Sequence, residues 1–364
     1  MGAENSNQTD KPRFVGEWVS IKTGKLDANA ADEDGIYPFF TCAENTLRIN
    51  TAAYDCECVL VAGNGDLNVK YYNGKFNAYQ RTYIIEVLDR RVLDPFYLYQ
   101  FLKSYVQTLR EQSIGGVIKY IKLCNLKDAL IPLPDVQIQQ NIVGEFEKMD
   151  LVLEKQSDLS SHLDALVKSR FVEMFGAFDL SLQKSAWYPI KQLGQVVSGA
   201  TPKTSIGKYW DGGIKWITPA ELSDMSGWVY DSTRHITEEG LNSCGARMMP
   251  VGTVILSSRA PIGKMALLGD SMCCNQGFKN IVCGDRIISE YLYYLLGFNA
   301  AYLNSLGRGA TFKELSKRSV EEIKIPVPPI KAQGEFVAFT QQVDKLRFAG
   351  NHEINFRCER FTLS

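Results

Sequence analysis

Side chains that can read bases or hold phosphates gather in two separate stretches of the chain. The first stretch contributes Asn64, Asn68, Lys70, Tyr72, Lys75, Gln80 and Arg81. The second contributes Lys203, Lys208, Lys215, Ser258, Arg259, Lys264, Asn275, Gln276 and Lys279. Arg, Lys, Asn and Gln match the donor and acceptor patterns of base edges, whereas Ser, Lys and backbone N–H groups hold phosphate oxygens. A single such residue usually marks a solvated loop. Two clusters set among strands, turns and aromatic residues point to a binding module.

Catalytic patterns do not compete with that reading. The chain has no GxxxxGK[ST] phosphate loop. Gly63-Asn64-Gly65 follows an apolar run but lacks the third glycine of a dinucleotide fingerprint, so a tight turn is expected there. The three histidines, His162, His235 and His352, have no neighbouring His or Cys at metal-ligand spacing. Cys56-x-Cys58 and Cys273-Cys274 are too close for a CxxC site and read as strand residues. No catalytic residue, metal site or cofactor is expected. A metal-dependent nuclease without a recognisable motif is the one enzyme reading left open.

Composition bounds the architecture. With 364 residues, 45% of them hydrophobic and 22% charged, the chain can bury two separate cores. Lys plus Arg number 40 against 41 Asp plus Glu, so charge must act through its placement. Phe14–Leu130 carries 13 basic and 14 acidic residues, and Trp187–Lys324 carries 15 and 12. Neither half is a basic domain, so tight DNA binding would need both halves or a partner. No apolar run reaches membrane-spanning length, and the first residues, MGAENSNQTDKPRF, form a polar lead. Nine irregularly spaced cysteines argue for a reducing compartment, by default the cytoplasm.

The elements that must position the two clusters repeat. IPLP at Ile131–Pro134 returns as IPVP at Ile325–Pro328, an offset of 194. The same offset matches Tyr97-Leu98-Tyr99 with Tyr291-Leu292-Tyr293, Gly115 with Gly309, Lys119 with Lys313 and Gln139 with Gln333. At the front, Trp18, Ile21 and Lys22 match Trp187, Ile190 and Lys191 at an offset of 169. Each copy should run from a Trp-containing strand through further strands to a helix, Asp94–Arg110 or Ser289–Leu306, and then to a proline pair.

The first proline pair launches one long predicted helix between Asp135 and Gly176. From Ile138 to Phe175 it would extend roughly 55 Å if straight. Its apolar stripe includes Ile142, Phe146, Met149 and Leu153, then Leu159, Leu163 and Leu166. The second pair launches a shorter predicted helix with Phe336, Val343 and Leu346 on its apolar face. The two stripes are expected to cover one another with the helices running oppositely. Gly350 is expected to end the second helix, leaving the His162–Phe175 part of the first without a partner.

Several segments then carry a family resemblance. VILSSRAPIGKMAL at Val254–Leu267, CCNQGFKNIV at Cys273–Val282, GRGATFKELS at Gly307–Ser316 and IPVPPIKAQGEF at Ile325–Phe336 resemble motifs of the specificity (S) subunits of Type I restriction-modification systems. VLVAGNG, AYQRTYII, SIGGVIKYIKLCNL and IPLPDVQIQQNIV are weaker versions in the first copy. The resemblance spans about Trp18–Leu346.

It implies an α/β protein made of two tandem target recognition domains, joined by long helices that form an antiparallel coiled coil. It also implies a non-catalytic subunit that reads a bipartite double-stranded DNA target. Methyltransferase (M) subunits would dock on it, and a restriction (R) subunit would join that complex. The segments expected are a disordered lead at 1–13, the first domain at 14–134, a spacer helix at 135–176, the second domain at 177–328, a distal helix at 329–349 and an atypical tail at 350–364. A stand-alone two-domain DNA-binding or protein-interaction factor is the alternative.

Overall fold

A computed structural model of the chain describes residues 12–259, 261–309 and 313–362. Two compact units emerge, Met1–Glu154 and Lys155–Ser364. The division falls inside the helix expected to be a separate spacer, because each half of that helix packs on its own unit.

The first unit is built on a six-stranded sheet. Its order is Val19–Thr23, Thr82–Val87, Tyr54–Ala62, Val69–Ala78, Tyr37–Phe40 and Leu47–Ile49. Pairing is antiparallel except for a short parallel contact of Phe39 and Phe40 with Asn77 and Ala78. Two-residue alternation along Tyr54–Ala62 sorts its side chains. Val59 and Val61 join Leu98, Leu102 and Leu109 of the helix Pro95–Gln112 in one cluster, whereas Cys58 and Leu60 join Phe40 and Phe76 in another. Asp94 caps that helix by accepting the N–H groups of Phe96 and Tyr97, and Pro95 occupies its first turn.

The second unit repeats the first three strands as Gly194–Ser198, Phe278–Cys283 and Val254–Ser257, again antiparallel. Met265–Leu268 and Met225–Val229 complete a five-stranded sheet. A separate three-stranded sheet, His235–Ile236, Trp210–Ile217 and Cys273–Cys274, is built largely from the longer front of this copy. Alternation again sends Val254 and Leu256 to one cluster and Ile255 to another. The expected helix Ser289–Leu306 is two helices, Ser289–Gly297 and Ala300–Ser305.

Backbone bonds reset the front register of the repeat. Val15 N–H donates to Ala129 O and Ile190 N–H donates to Ile323 O, both at 2.9 Å. Val15 and Ile190 are therefore equivalent, and the tryptophans are not. The Trp18 and Trp187 match was one of residue type only. Trp18 follows the first short helical turn, Val15–Glu17, whereas Trp187 precedes the corresponding turn Ile190–Gln192.

The segment between Asp135 and Gly176 forms a single helix, Val136–Phe175. Asp135 accepts the Gln137 N–H at its start. Gly176, at φ 84°, ends it in the left-handed conformation. Within the first unit, Ile142 and Val143 pack on the cluster of Val59 and Leu98. Met149 is half-buried, and Phe146 and Leu153 are exposed.

Within the second unit, Leu163, Val167 and Phe171 are buried with Phe336 and Val343 of the helix Ile330–Thr362. The Phe171 ring lies 5.2 Å from Phe336, Arg170 lies over Phe339, and Arg347 pairs with Asp164. Higher numbers on one helix meet lower numbers on the other, so the two run oppositely there.

Two expectations are corrected. The His162–Phe175 stretch has a partner, through Leu163, Val167 and Phe171 rather than Leu166, which is exposed like Leu346. The distal helix does not stop at Gly350 but runs to Thr362, since one internal glycine costs only about 1 kcal/mol. Of the lead expected to be disordered at 1–13, residues 1–11 lie outside the described residues, and Arg13 is instead ordered, pairing with Ile131 in a short strand.

Candidate nucleic-acid interface

Each unit brings three turns together at one end of its sheet, on the same backbone frame. In the first unit Gly63 N–H donates to Arg81 O at 2.8 Å and Ile121 N–H donates to Gly63 O at 2.9 Å. In the second, Ser258 N–H donates to Gly277 O at 2.7 Å and Leu315 N–H donates to Ser258 O at 2.8 Å. A loop closes over each frame. Ile114 and Tyr120 exchange N–H···O bonds of 3.0 and 2.9 Å, as do Arg308 and Glu314. Gly115 and Gly309 hold φ of 120° and 129° inside these loops. Residues with side chains rarely adopt that conformation.

Gln80 therefore corresponds to Gln276, Asn64 to Arg259, Tyr83 to Lys279 and Tyr120 to Glu314. In the first unit Thr23, Gly63, Gln80, Arg81, Tyr83 and Ile121 line a cleft of about 280 Å³. Gln80 and Arg81 are exposed at its mouth, and Tyr83 Oη donates to Ile121 O at its base.

The second unit carries charge at the same place. Lys279 is 6% exposed, and its Nζ donates to Ser258 Oγ at 3.2 Å and lies 3.7 Å from Glu314. Burial pushes the Lys279 ammonium below its usual pKa, and the Glu314 carboxylate opposes that shift. Arg259 is exposed and pairs with Glu314 at 3.3 Å. The turn before Lys279 is tied down. Asn275 accepts the Gly277 N–H and donates to Thr201 Oγ1, which in turn donates to Gln276 Oε1.

The structure thus sorts the sequence candidates. Asn64, Gln80 and Arg81 converge in one unit, and Ser258, Arg259, Gln276 and Lys279 converge in the other, with Asn275 holding the turn. Others are committed elsewhere. Asn68 donates to Cys42 O and Asp66 O, and Lys70 donates to Ala43 O and Asn68. Burial lowers the Lys70 pKa. Tyr72 packs on Phe40 and Phe76, while Lys75 is exposed on the strand Val69–Ala78.

Lys264 donates to Leu222 O, Lys208 pairs with Glu239 and Lys215 pairs with Asp270. Lys203 is exposed and its carbonyl accepts the Trp210 Nε1–H. Thr23, Tyr83, Tyr120 and Glu314 belong to the site but were not singled out. For Tyr120 and Glu314 the signal is the repeat match of Gly115 and Lys119 with Gly309 and Lys313, which flags the closing loops; Thr23 and Tyr83 lie on strands outside those loops. Among the described residues, no cluster of His, Cys, Asp or Glu could hold a metal ion, and no helix is long and apolar enough to cross a membrane.

Comparison with known proteins gives a consistent picture. The family model for the Type I restriction modification DNA specificity domain matches residues 9–159 and again 184–359. The EcoDI specificity subunit of Escherichia coli is 29% identical over 370 aligned positions, covering 90% of this chain and 80% of that protein. The MjaIX specificity subunit of Methanocaldococcus jannaschii is 38% identical over 187, covering 50% of this chain but only 43% of that longer relative. The crystal structure of a Type-I restriction-modification system S subunit from M. genitalium superposes with a TM-score of 0.61 at 18% identity, covering 99% of this chain and 96% of that one. At that identity it speaks for the fold.

Proposed function

We propose that this chain, which belongs to the Type I restriction modification DNA specificity domain family, is the sequence-reading subunit of a restriction-modification complex. One observation carries the reading. The same three-turn site is built twice, once in each unit, on matching backbone bonds, with Gln80 and Gln276 alike but Asn64, Tyr83 and Tyr120 exchanged for Arg259, Lys279 and Glu314. A duplicated frame with exchanged side chains suits a bipartite DNA target, each unit meeting its own half.

We assign base contact to Gln80 and Arg81 in the first unit and to Arg259 and Gln276 in the second, a reading supported by their exposure on equivalent turns. Lys279 and Ser258 support the second set from beneath. The helix Val136–Phe175 would fix the spacing between the half-sites. A flexible linker could not do so, because half-sites on one face of a duplex are separated by a helical turn, about 34 Å, or a related distance, and must be held there. Its opposed packing on the distal helix within the second unit supports an antiparallel helical pair as that spacer.

In this role the chain transfers no methyl group and cuts no DNA. It presents the target to methyltransferase subunits, and through them to a restriction subunit, in the cytoplasm. The test is reconstitution with a methyltransferase subunit, followed by mapping of methylated sites. The expected product is methylation at a target of two blocks with a constant gap, dependent on this chain. A single continuous block, or methylation by this chain with no partner, would sink the proposal.

A further inference from the structure

The loop that closes the site in the first unit carries an apolar tip with no cover. Val117 is fully exposed, Ile118 is 62% exposed and Ile114 is 42% exposed. The loop is not slack. Its ends exchange two backbone bonds at Ile114 and Tyr120, and Lys119 O accepts the Gly65 N–H at 2.9 Å. A Cβ at Gly115 would stand 2.6 Å from Ile118 O, so the tight turn depends on glycine. The tip is therefore held against the Asn64–Gly65 turn, beside the cleft that Gln80 and Arg81 border.

Exposed aliphatic side chains gathered on a fixed loop mark a contact surface. The charge around this one says which kind. Arg81, Lys119 and Lys122 are exposed, and among the described residues none has an ion-pair partner. The acidic neighbour Asp66 is already paired with Arg110 at 2.9 Å. An apolar tip with unpaired cations next to it in the chain, at Lys119 and Lys122, and on the adjoining turn, at Arg81, suits a partner with an anionic rim and an apolar interior. Duplex DNA has that arrangement, with phosphates outside and base faces and thymine methyl groups within.

We propose that the loop Ile114–Tyr120 enters a groove of the duplex and sets Val117 and Ile118 in apolar contact with bases of the half-site read by the first unit. The inference rests on the DNA-reading role proposed above and adds a contact of a different kind. The cations hold the backbone and depend on salt, whereas the tip contributes a salt-independent part of the affinity.

The test begins with the wild-type chain, reconstituted with a methyltransferase subunit, selecting its preferred duplex from a random-sequence pool. Enrichment of no sequence would sink the DNA-reading role itself, before the loop is tested. On the selected duplex, the double substitution Val117→Ser with Ile118→Ser should weaken binding about 10-fold and leave the slope of affinity against salt unchanged. A benzophenone side chain placed at position 117 should cross-link to DNA within one half-site. Unchanged affinity, a loss that comes with a shallower salt slope, or cross-links to protein in place of DNA would each overturn the proposal.

Discussion

At their rear ends the two units hold one buried glutamine in one set of bonds, and at their turn ends they hang unlike side chains on one backbone. Gln139 Nε2 donates to Val92 O and Pro134 O at 2.7 and 2.8 Å, and its Oε1 accepts the Asp94 N–H at 2.9 Å. Gln333 repeats this with Arg286 O, Pro328 O and the Ile288 N–H at 3.2, 2.8 and 2.8 Å. Tyr97 and Tyr291 donate to Pro132 O and Pro326 O in the same way. At the other end, Asn64, Tyr83 and Tyr120 face Arg259, Lys279 and Glu314 as their counterparts. Side chains that satisfy buried backbone groups have few substitutes. Side chains hung on a turn whose own N–H and C=O groups already bond one another have more, whether exposed like Arg259 or buried like Lys279. The repeat is therefore strict where it anchors helices and free where a ligand would be met.

The largest expected effect tests the strict end. Both glutamines are fully buried. Gln139→Ala or Gln333→Ala removes three hydrogen bonds made by a buried side chain to one N–H and two carbonyls, a loss on the order of 3 kcal/mol. Each loss should stay within its own unit, seen as reduced hydrogen-exchange protection around Asp94 in one variant and around Ile288 in the other. Equal loss of protection in both units would mean that the repeats do not unfold separately, and the comparison of units would fail. A smaller effect tests the free end. Arg81 is exposed with no ion-pair partner among the described residues, whereas Arg259 already shares its charge with Glu314. Arg81→Gln should weaken DNA binding about 5-fold and lower the salt slope by about 1. Arg259→Gln should cost less in both. The reverse order would place the stronger electrostatic grip in the second unit.

Lys279 offers a third contrast with Tyr83, read through pH. Its pKa in the folded unit lies below 10.5, because burial penalises the ammonium form. The charged form therefore lowers stability, fully at pH values below the folded pKa and less as pH rises from there to 10.5. Lys279→Met removes that cost. Relative to wild type, the variant should look most favourable near neutral pH and lose ground in alkali, measured by denaturant midpoints of the second unit. Tyr83→Phe in the first unit should show no such trend over neutral pH. A flat difference for Lys279→Met would mean that Ser258 and Glu314 fully offset the burial.

Residues that both copies use for the same backbone bonds or turns were legible in the sequence. The glutamines, the tyrosines, the closing-loop glycines and the proline pairs keep both type and spacing, so one constant offset aligns them correctly. The front register was not legible, because Trp18 and Trp187 share a residue type but not a place. The helix pairing was misread for a related reason. Period counting found Leu159, Leu163 and Leu166, whereas the buried set is Leu163, Val167 and Phe171, every fourth residue along one face. Which face is buried depends on the partner, and a stripe does not name it. Lys70 and Lys264 resembled free cations until their distant carbonyl acceptors, on Ala43 and Leu222, came into view.

The smallest expected effect is also the sharpest on the charged site. Glu314 sits between Arg259 and Lys279, and its position in the first unit is held by the neutral Tyr120. A carboxylate there stands against any phosphate that approaches Arg259. It also offers that arginine an alternative partner, though exposed pairs of this kind contribute only about 0–1 kcal/mol. Glu314→Gln keeps the side-chain shape and the backbone bridge to Arg308 while removing the charge. Binding to every duplex should tighten about 2-fold and the salt slope should steepen, because Arg259 is then available to phosphate. If affinity falls only on the preferred duplex, Glu314 accepts from a base instead, most simply the cytosine amino group. The charged counterpart of Tyr120 would then be part of what the second unit reads rather than a restraint on how tightly it holds.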